Sequence, residues 1–354
     1  MSPICLDFAP EVTLNSRYEI VKGLGRGTRS TVWLANDTTS PGAQVAIKCL
    51  RNDVTAGQGS ATYELEVLEA ICKKTAATHS ETVGPSRVLQ LLDHFVLDNE
   101  TSGQHLCFVT KPLGMNLLEV QKAFPGRRMP VPLVQHVVKQ LLEGLAFIHD
   151  DCRVVHTDIK QDNIMFDNFG DESGELSDAV NVVLADFDTA VPEHGDRKQL
   201  IQPQDLRAPE VLMGCDWGTS ADIWNMGCIT FELITGCRLF RHEPLESDKG
   251  HTTPEQGHFA MIESFLVTDR KDLDARIRFL QYFSDGENFE KFIDRERGYN
   301  LHVSYADQEP LGKILRVYDV YDEQLEDFLR SMLQIHPDDR ASARKLLKHP
   351  WLSA

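Results

Sequence analysis

The sequence predicts an α+β chain in two lobes: a small antiparallel sheet of five strands, then a larger, mainly helical lobe. Three observations predict it. Between residues 18 and 111, five short segments are rich in β-branched and aromatic residues and are separated by Gly, Asn, Pro and Ser, the composition of strands and turns. Pro112-Leu113-Gly114 then breaks the pattern. Beyond it, apolar residues recur at helical spacing rather than in alternation.

Residues 1–17 are expected as an extension, 18–112 as the first lobe and 113–354 as the second. Tyr18–Lys22, Thr31–Ala35 and Gln44–Leu50 are expected strands, and Val88–Leu97 with His105–Lys111 complete the sheet. Ala61–Lys73, with apolar Leu65, Leu68 and Ile71, is expected as a helix. In the second lobe Val134, Val137, Val138, Leu141, Leu142, Leu145 and Ile148 follow the period of a buried helix. Asp167–Asp178 is polar and contains glycine, so a loop is expected. Ala221–Thr235 and Gln324–Leu333 are further helices. The chain has no internal repeat and no low-complexity tract.

A chain of 354 residues can bury two cores. Its composition, 42% hydrophobic and 25% charged, is that of an ordinary globular protein. No run approaches the length of a membrane span, and Met1–Cys5 lacks the pattern of a secretory signal. The eight cysteines form no C-x-x-C pair and read as buried, reduced thiols. Net charge is −18, carried mostly by residues 113–354, with 26 basic and 42 acidic side chains. Such a balance disfavours binding to nucleic acid or membrane and attracts basic partners. A monomer in the cytoplasm or nucleus is the expectation.

The chemistry concentrates in His156-Thr157-Asp158-Ile159-Lys160-Gln161-Asp162-Asn163. Asp158, Lys160 and Asn163 stand at the offsets of a proton acceptor, a cation and a metal ligand in a phosphoryl-transfer loop. Upstream, Leu24-Gly25-Arg26-Gly27-Thr28-Arg29-Ser30-Thr31-Val32 joins two strands, and its glycines let backbone N–H groups approach phosphate oxygens. Lys48 ends Val45-Ala46-Ile47-Lys48. Downstream come Leu184-Ala185-Asp186-Phe187-Asp188, Ala208-Pro209-Glu210, Asp222-Ile223-Trp224 and Arg340. Each match is weak by itself, since a glycine hairpin is a common turn and a strand lysine is usually solvated. Their order along one chain is what carries weight.

Together these motifs resemble those of a eukaryotic serine/threonine protein kinase over about residues 18–352. The resemblance implies the bilobal protein kinase fold, ATP and Mg2+ as cofactors, and phosphorylation of protein Ser/Thr hydroxyls. It implies that Asp158 accepts the hydroxyl proton, that Lys160 neutralises the transferring phosphoryl group, and that Asn163 and Asp186 bind the metal. Gly25, Gly27, Val32 and Ala46 would cradle the nucleotide. Lys48 would meet its phosphates and pair with Glu64; Glu66, about 200° around the helix, is the alternative in another register. The carbonyl of Lys111 and the N–H of Leu113 would meet adenine, and Pro112 between them costs nothing. Glu210, Arg340 and Asp222 would be structural.

His156-Thr157-Asp158-Ile159-Lys160 further resembles the SR-protein kinases, as do Ser30-Thr31-Val32-Trp33-Leu34 and Asp222-Ile223-Trp224. Only 22 residues separate Asn163 from Asp186, which resembles compact, fungal-type members. The resemblance implies basic Arg/Ser-rich substrates and an acidic docking groove, for which Glu243, Glu246, Asp248, Asp269, Asp272 and Asp274 are candidates. Three positions depart from the general kinase pattern: Ser30 and Asp188 replace glycines, and Thr157 replaces the arginine that grips an activation-segment phosphate. Between Phe187 and Arg207 there is no Ser or Tyr, and Thr189 is the only Thr. Activity without activation-segment phosphorylation is therefore expected. The competing reading is a pseudokinase scaffold, favoured by Asp188 and Ser30 and opposed by Lys48, Asp158, Asn163 and Asp186.

Overall fold

The computed structural model describes residues 5–78, 82–167, 180–192, 194–244, 246–247, 250–266, 273–294, 299–300 and 311–353. The first lobe is built on β1 (Thr13–Leu14), β2 (Tyr18–Arg26), β3 (Ser30–Asp37), β4 (Gln44–Leu50), β5 (Leu91–Asn99) and β6 (Gly103–Thr110). They form one antiparallel sheet in the order β1-β2-β3-β4-β6-β5. The sheet therefore has six strands where five were expected. The sixth comes from the expected N-terminal extension, with Thr13 opposite Glu19 and Leu14 opposite Tyr18. Two residues are too few to show an alternating pattern. The segment before it also packs on the lobe: Leu6 is buried, and its carbonyl accepts a hydrogen bond from Thr31 Oγ1 at 3.1 Å.

β4 obeys the period of two. Val45, Ile47 and Cys49 join Tyr18, Ile20, Phe95 and Cys107 in a cluster on one face of the sheet. Leu50 joins a second core that runs on into the other lobe. Lys48, two residues before it, therefore emerges on the face turned towards the helices. Two helices follow β4: α1 (Asn52–Ala56) and α2 (Glu64–Ala77). α2 begins three residues later than expected, after a turn in which Gly59 holds a positive φ of 77°. Val67, Leu68 and Ile71 are its buried face, while Leu65 is only partly buried. β5 also begins later than expected. Leu89 instead donates to the carbonyl of Leu184 in the second lobe, at 2.9 Å.

α3 (Leu117–Lys122) opens the second lobe with a capping box between Asn116 and Glu119. α4 (Val131–Ala146) buries the predicted apolar stripe and runs into one π-helical turn, Phe147–Asp151. β7 (Val154–Val155), β8 (Ile164–Phe166), β9 (Val182–Leu184) and β10 (Val191–Pro192) form two small hairpin-like pairs, β7 with β10 and β8 with β9. α5 (Pro209–Met213) and the almost wholly buried α6 (Thr219–Thr235) follow. Most of the expected Asp167–Asp178 loop lies outside the described residues. So do Asp248, Asp269 and Asp272, together with the side chains of Glu246 and Asp274. Among the described residues no helix is long and apolar enough to cross a membrane. All eight cysteines are unpaired; Cys49, Cys107, Cys152 and Cys228 are buried, but Cys5, Cys72 and Cys215 are only partly so and Cys237 is exposed. The expectation of eight buried thiols thus holds for half of them, because local apolar sequence does not set burial.

The second lobe is tied by Glu210, at the start of α5, and Arg340. Their contact is bidentate, at 2.6 and 2.7 Å, and both side chains are fully buried. Arg340 also donates to the carbonyls of Gln334 and Ser220 and lies over the Trp224 ring. Removing one partner strands the other charge in a dry interior. Arg340→Ala is expected to lose about 3–5 kcal/mol of stability in denaturant unfolding. A double replacement of both partners by apolar residues of similar volume is expected to lose less.

Candidate active site

Register across the sheet assembles one wall of the cleft. Gly25 lies opposite Val32, and Val32 opposite Lys48, so these three neighbours share a face. Ala46, two residues from Lys48, shares it too and is buried. A Cβ at Gly25 would meet nothing within 4 Å, and one at Gly27 only the Ser30 carbonyl at 3.8 Å. The space beneath the hairpin is therefore open.

Lys48 Nζ lies 2.6 Å from Glu64 Oε1 and 2.7 Å from Asp186 Oδ1. Glu64 is the partner the helix supplies; Glu66 instead lies 3.4 Å from His194. Burial opposes the Lys48 charge, but Glu64, Asp186 and Asp188 outweigh it and hold the ammonium well above the ordinary lysine range. Lys48 in turn holds the Asp186 carboxyl down to about 2. Glu64 behaves differently. Burial dominates there and pushes its carboxyl up to about 7, and its Oε2 is buried without a hydrogen-bond partner.

The floor of the cleft is the loop between β7 and β8. Lys160 Nζ donates to Asp158 Oδ2 at 2.6 Å, and Asn163 Nδ2 donates to the same oxygen at 2.9 Å and to the Asp158 carbonyl at 2.8 Å. Buried Asp222 braces this loop from α6. It accepts the backbone N–H groups of His156 and Thr157 at 2.8 and 2.9 Å, and His149 Nε2 at 2.8 Å. The segment between β9 and β10 is held against the loop: Ala185 N–H donates to the Asn163 carbonyl at 2.9 Å, and the Ala185 carbonyl lies 3.1 Å from His156 Nε2. Asp186 is thereby presented to Lys48 with a φ of 62°. At the inter-lobe link, Gly114 N–H donates to the Phe166 carbonyl at 2.7 Å. Exposed Lys111 reaches Asp167 at 2.5 Å, Pro112 is buried and Leu113 partly buried.

Three sets of contacts escaped the sequence reading. Thr157, at a φ of 70°, donates its hydroxyl to the Thr189 carbonyl at 2.8 Å and approaches the Thr189 hydroxyl at 2.9 Å. Gln202 N–H donates to the Thr157 carbonyl at 3.1 Å. Its side chain donates to the carbonyl of Ala221 and accepts from the N–H of Ala208, both at 2.8 Å. Arg29, in the hairpin, lies 3.2 Å from Asp188. An arginine inside a glycine hairpin was a visible signal; a glutamine in a polar segment was not.

The site thus offers an open, glycine-lined roof, a paired lysine, and hard oxygen donors from Asp186 and Asn163. That set fits a phosphate-bearing ligand with Mg2+, which keeps few protein ligands and completes its shell with phosphate and water.

Residues 18–352 match the family model of the protein kinase domain. The chain is 31% identical to serine/threonine-protein kinase SRPK of Physarum polycephalum, over 96% of this chain and 86% of the relative. It is 29% identical to serine/threonine-protein kinase AFC1 of Arabidopsis thaliana, over 96% and 72%. It is also 29% identical to dual specificity protein kinase CLK2 of Homo sapiens, over 96% and 64%. A crystal structure of a kinase domain aligns with a TM-score of 0.74 over 98% of each chain at 22% identity, a likeness that speaks to the fold alone. The chain belongs to the protein kinase family. Within it, it is a serine/threonine protein kinase of the group that holds the SRPK, AFC and CLK enzymes.

The raised carboxyl of Glu64 has a consequence for stability. The folded chain holds a proton there that the unfolded chain releases near 4.5. The stability this supplies is complete below that value and is lost as pH climbs through about 7. Glu64→Gln carries no such proton. The thermal midpoint of the ligand-free wild type is therefore expected to fall, relative to that of Glu64→Gln, between pH 5 and pH 8. Parallel midpoint curves for the two proteins would contradict the assignment.

Proposed function

We propose that this kinase transfers the γ-phosphoryl group of Mg-ATP to Ser/Thr hydroxyls of basic, Arg/Ser-rich proteins, without needing phosphorylation of its own activation segment. The observation that carries the first part is the convergence of Lys160 and Asn163 on Asp158, with Asp186 alongside and paired to Lys48.

Each residue has a role in this reading. Asp158 orients the attacking hydroxyl and accepts its proton. Lys160, now on Asp158, moves to the transferring group as its charge develops. Lys48, held by Glu64, engages the α/β-phosphates, while Asn163 and Asp186 hold Mg2+. Gly25, Gly27, Val32 and Ala46 cover the nucleotide, and Lys111 and Leu113 offer it their backbone groups. When bound, Mg-ATP supplies the phosphoryl group and neutralises its leaving oxygens.

Independence from activation-segment phosphorylation is supported by the hydrogen bonds of Thr157 and Gln202. They join the catalytic loop to the segment directly, where other kinases use an arginine and a phosphate. The basic substrate class rests on the acidic charge of residues 113–354 and on the resemblance of His156–Lys160 to the SR-protein kinases.

The test is transfer of labelled γ-phosphate from Mg-ATP to an Arg–Ser repeat peptide, with Asp158→Asn alongside. The wild type is expected to phosphorylate the peptide, and the variant to lose about a hundredfold or more in kcat, as expected for losing a general base. Clear ATP binding without transfer to this peptide or to other basic proteins would favour the scaffold. Treatment with a phosphatase is expected to leave the activity unchanged. Loss of activity together with a mapped phosphosite between Phe187 and Arg207 would refute the independence.

A further inference from the structure

The hairpin over the cleft carries a cation for which the roles above have no use. Arg29 sits between β2 and β3, with its Nε 3.2 Å from Oδ2 of Asp188. Its backbone is fixed from behind. The Arg29 carbonyl accepts from the Arg51 N–H at 2.8 Å, and the neighbouring Thr28 carbonyl accepts from Arg51 Nη1 at 2.7 Å. Within the turn, Gly27 N–H donates to the Ser30 carbonyl at 2.9 Å. Arg29, Asp188, Asp158 and Lys160 line a single cavity of about 400 Å³. The other Asp188 oxygen, Oδ1, is buried without a hydrogen-bond partner.

We propose that Arg29 is a further phosphate-binding residue that meets the terminal phosphoryl group of the nucleotide above Asp158, and that Asp188 positions its guanidinium. The proposal rests on the nucleotide-binding reading given above.

Two physical arguments lead to it. A carboxylate at position 188, beside Asp186 and Asp158, adds negative charge where a polyanion must bind. Alone it would oppose the nucleotide; paired with Arg29 it is cancelled. Arginine also has many rotamers to lose on binding phosphate. A carboxylate that already holds Nε reduces that loss, and the planar guanidinium offers five N–H donors, so one contact does not exhaust it. Asp188 and Arg29 thus form a matched pair spanning the roof and floor of the cleft. The chemistry is otherwise unchanged. The bond between phosphorus and the ADP oxygen breaks with its electron pair leaving on ADP, the bond to the hydroxyl oxygen forms, and the proton passes to Asp158. Arg29 contributes hydrogen bonds to the phosphoryl group and takes no part in the proton transfer.

The experiment measures binding by calorimetry, in the presence of Mg2+, of a non-hydrolysable ATP analogue and of ADP. The proteins are the wild type, Arg29→Gln, Asp188→Gly and the double variant. In Arg29→Gln, the preference for the ATP analogue over ADP is expected to fall about ten- to a hundredfold, the size of one hydrogen bond to a charged group. Asp188→Gly should lower the same ratio by a smaller factor, and should not lower it further once Arg29 is gone. A merely structural role would shift both affinities together, along with the thermal midpoint, and leave the ratio intact. An unchanged ratio in Arg29→Gln overturns the proposal, including the case where only the peptide KM rises. An equal effect of Asp188→Gly in both backgrounds overturns the positioning role. Because the readout is binding, it decides the proposal even if the wild type transfers nothing to the peptide; that failure would count against the transfer reading alone.

Discussion

The buried carboxylate of Asp222 is the contact from which the active site is hung. It has no exposure to solvent, and its two oxygens receive two consecutive backbone N–H groups of the catalytic loop and the ring of His149. A charge in that position is tolerable only because every donor is supplied at close range. The contact also explains how Thr157 can hold a φ of 70°. A β-branched residue resists that conformation, and the hydrogen bonds on either side of it hold the backbone there. Asp158 follows directly, so its position is set by a carboxylate on α6.

Across the cleft the organising principle is charge sharing. Lys48 stands between Glu64 of the first lobe and Asp186 of the second, within hydrogen-bond distance of both. One ammonium thus couples the position of α2 to the segment that carries Asp186. The two carboxylates answer it differently because their surroundings differ. Glu64 is enclosed by the lobe core and its charge is disfavoured, whereas Asp186 borders the open cleft and is dominated by Lys48. Departures from the family motif extend the same network: Asp188 adds a negative charge and Arg29 meets it.

The loop between β7 and β8 is joined to the activation segment by neutral contacts. Thr157 and Thr189 share a hydroxyl hydrogen bond, and Gln202 joins the loop to Ala221 of α6 and Ala208. Gln202, like Thr157 and Asp186, has a positive φ. Three strained residues therefore lie within the assembled site, each held by hydrogen bonds from another element, the pattern in which strain supports pre-organisation.

Much of this was legible in the residue order. The motif spacings around Lys48, Asp158, Asn163 and Asp186 marked the family because phosphoryl transfer demands those groups at nearly fixed offsets, and strand and helix periods follow from which face is buried. The chain alone put Glu64 ahead of Glu66 but left Glu66 open in another register; the structure decides for Glu64, which meets Lys48. What the chain alone could not reveal were contacts between remote segments whose local sequence is unremarkable. Leu14 completes a sheet through two residues, and Leu89 leaves its strand to bond Leu184. Thr157 meets Thr189, and Arg29 meets Asp188. Sequence carries the periodicity of each element and the chemistry of each motif, because both are local. Only the tertiary structure decides which unpaired donor finds which acceptor across the cleft, because that depends on how the two lobes pack.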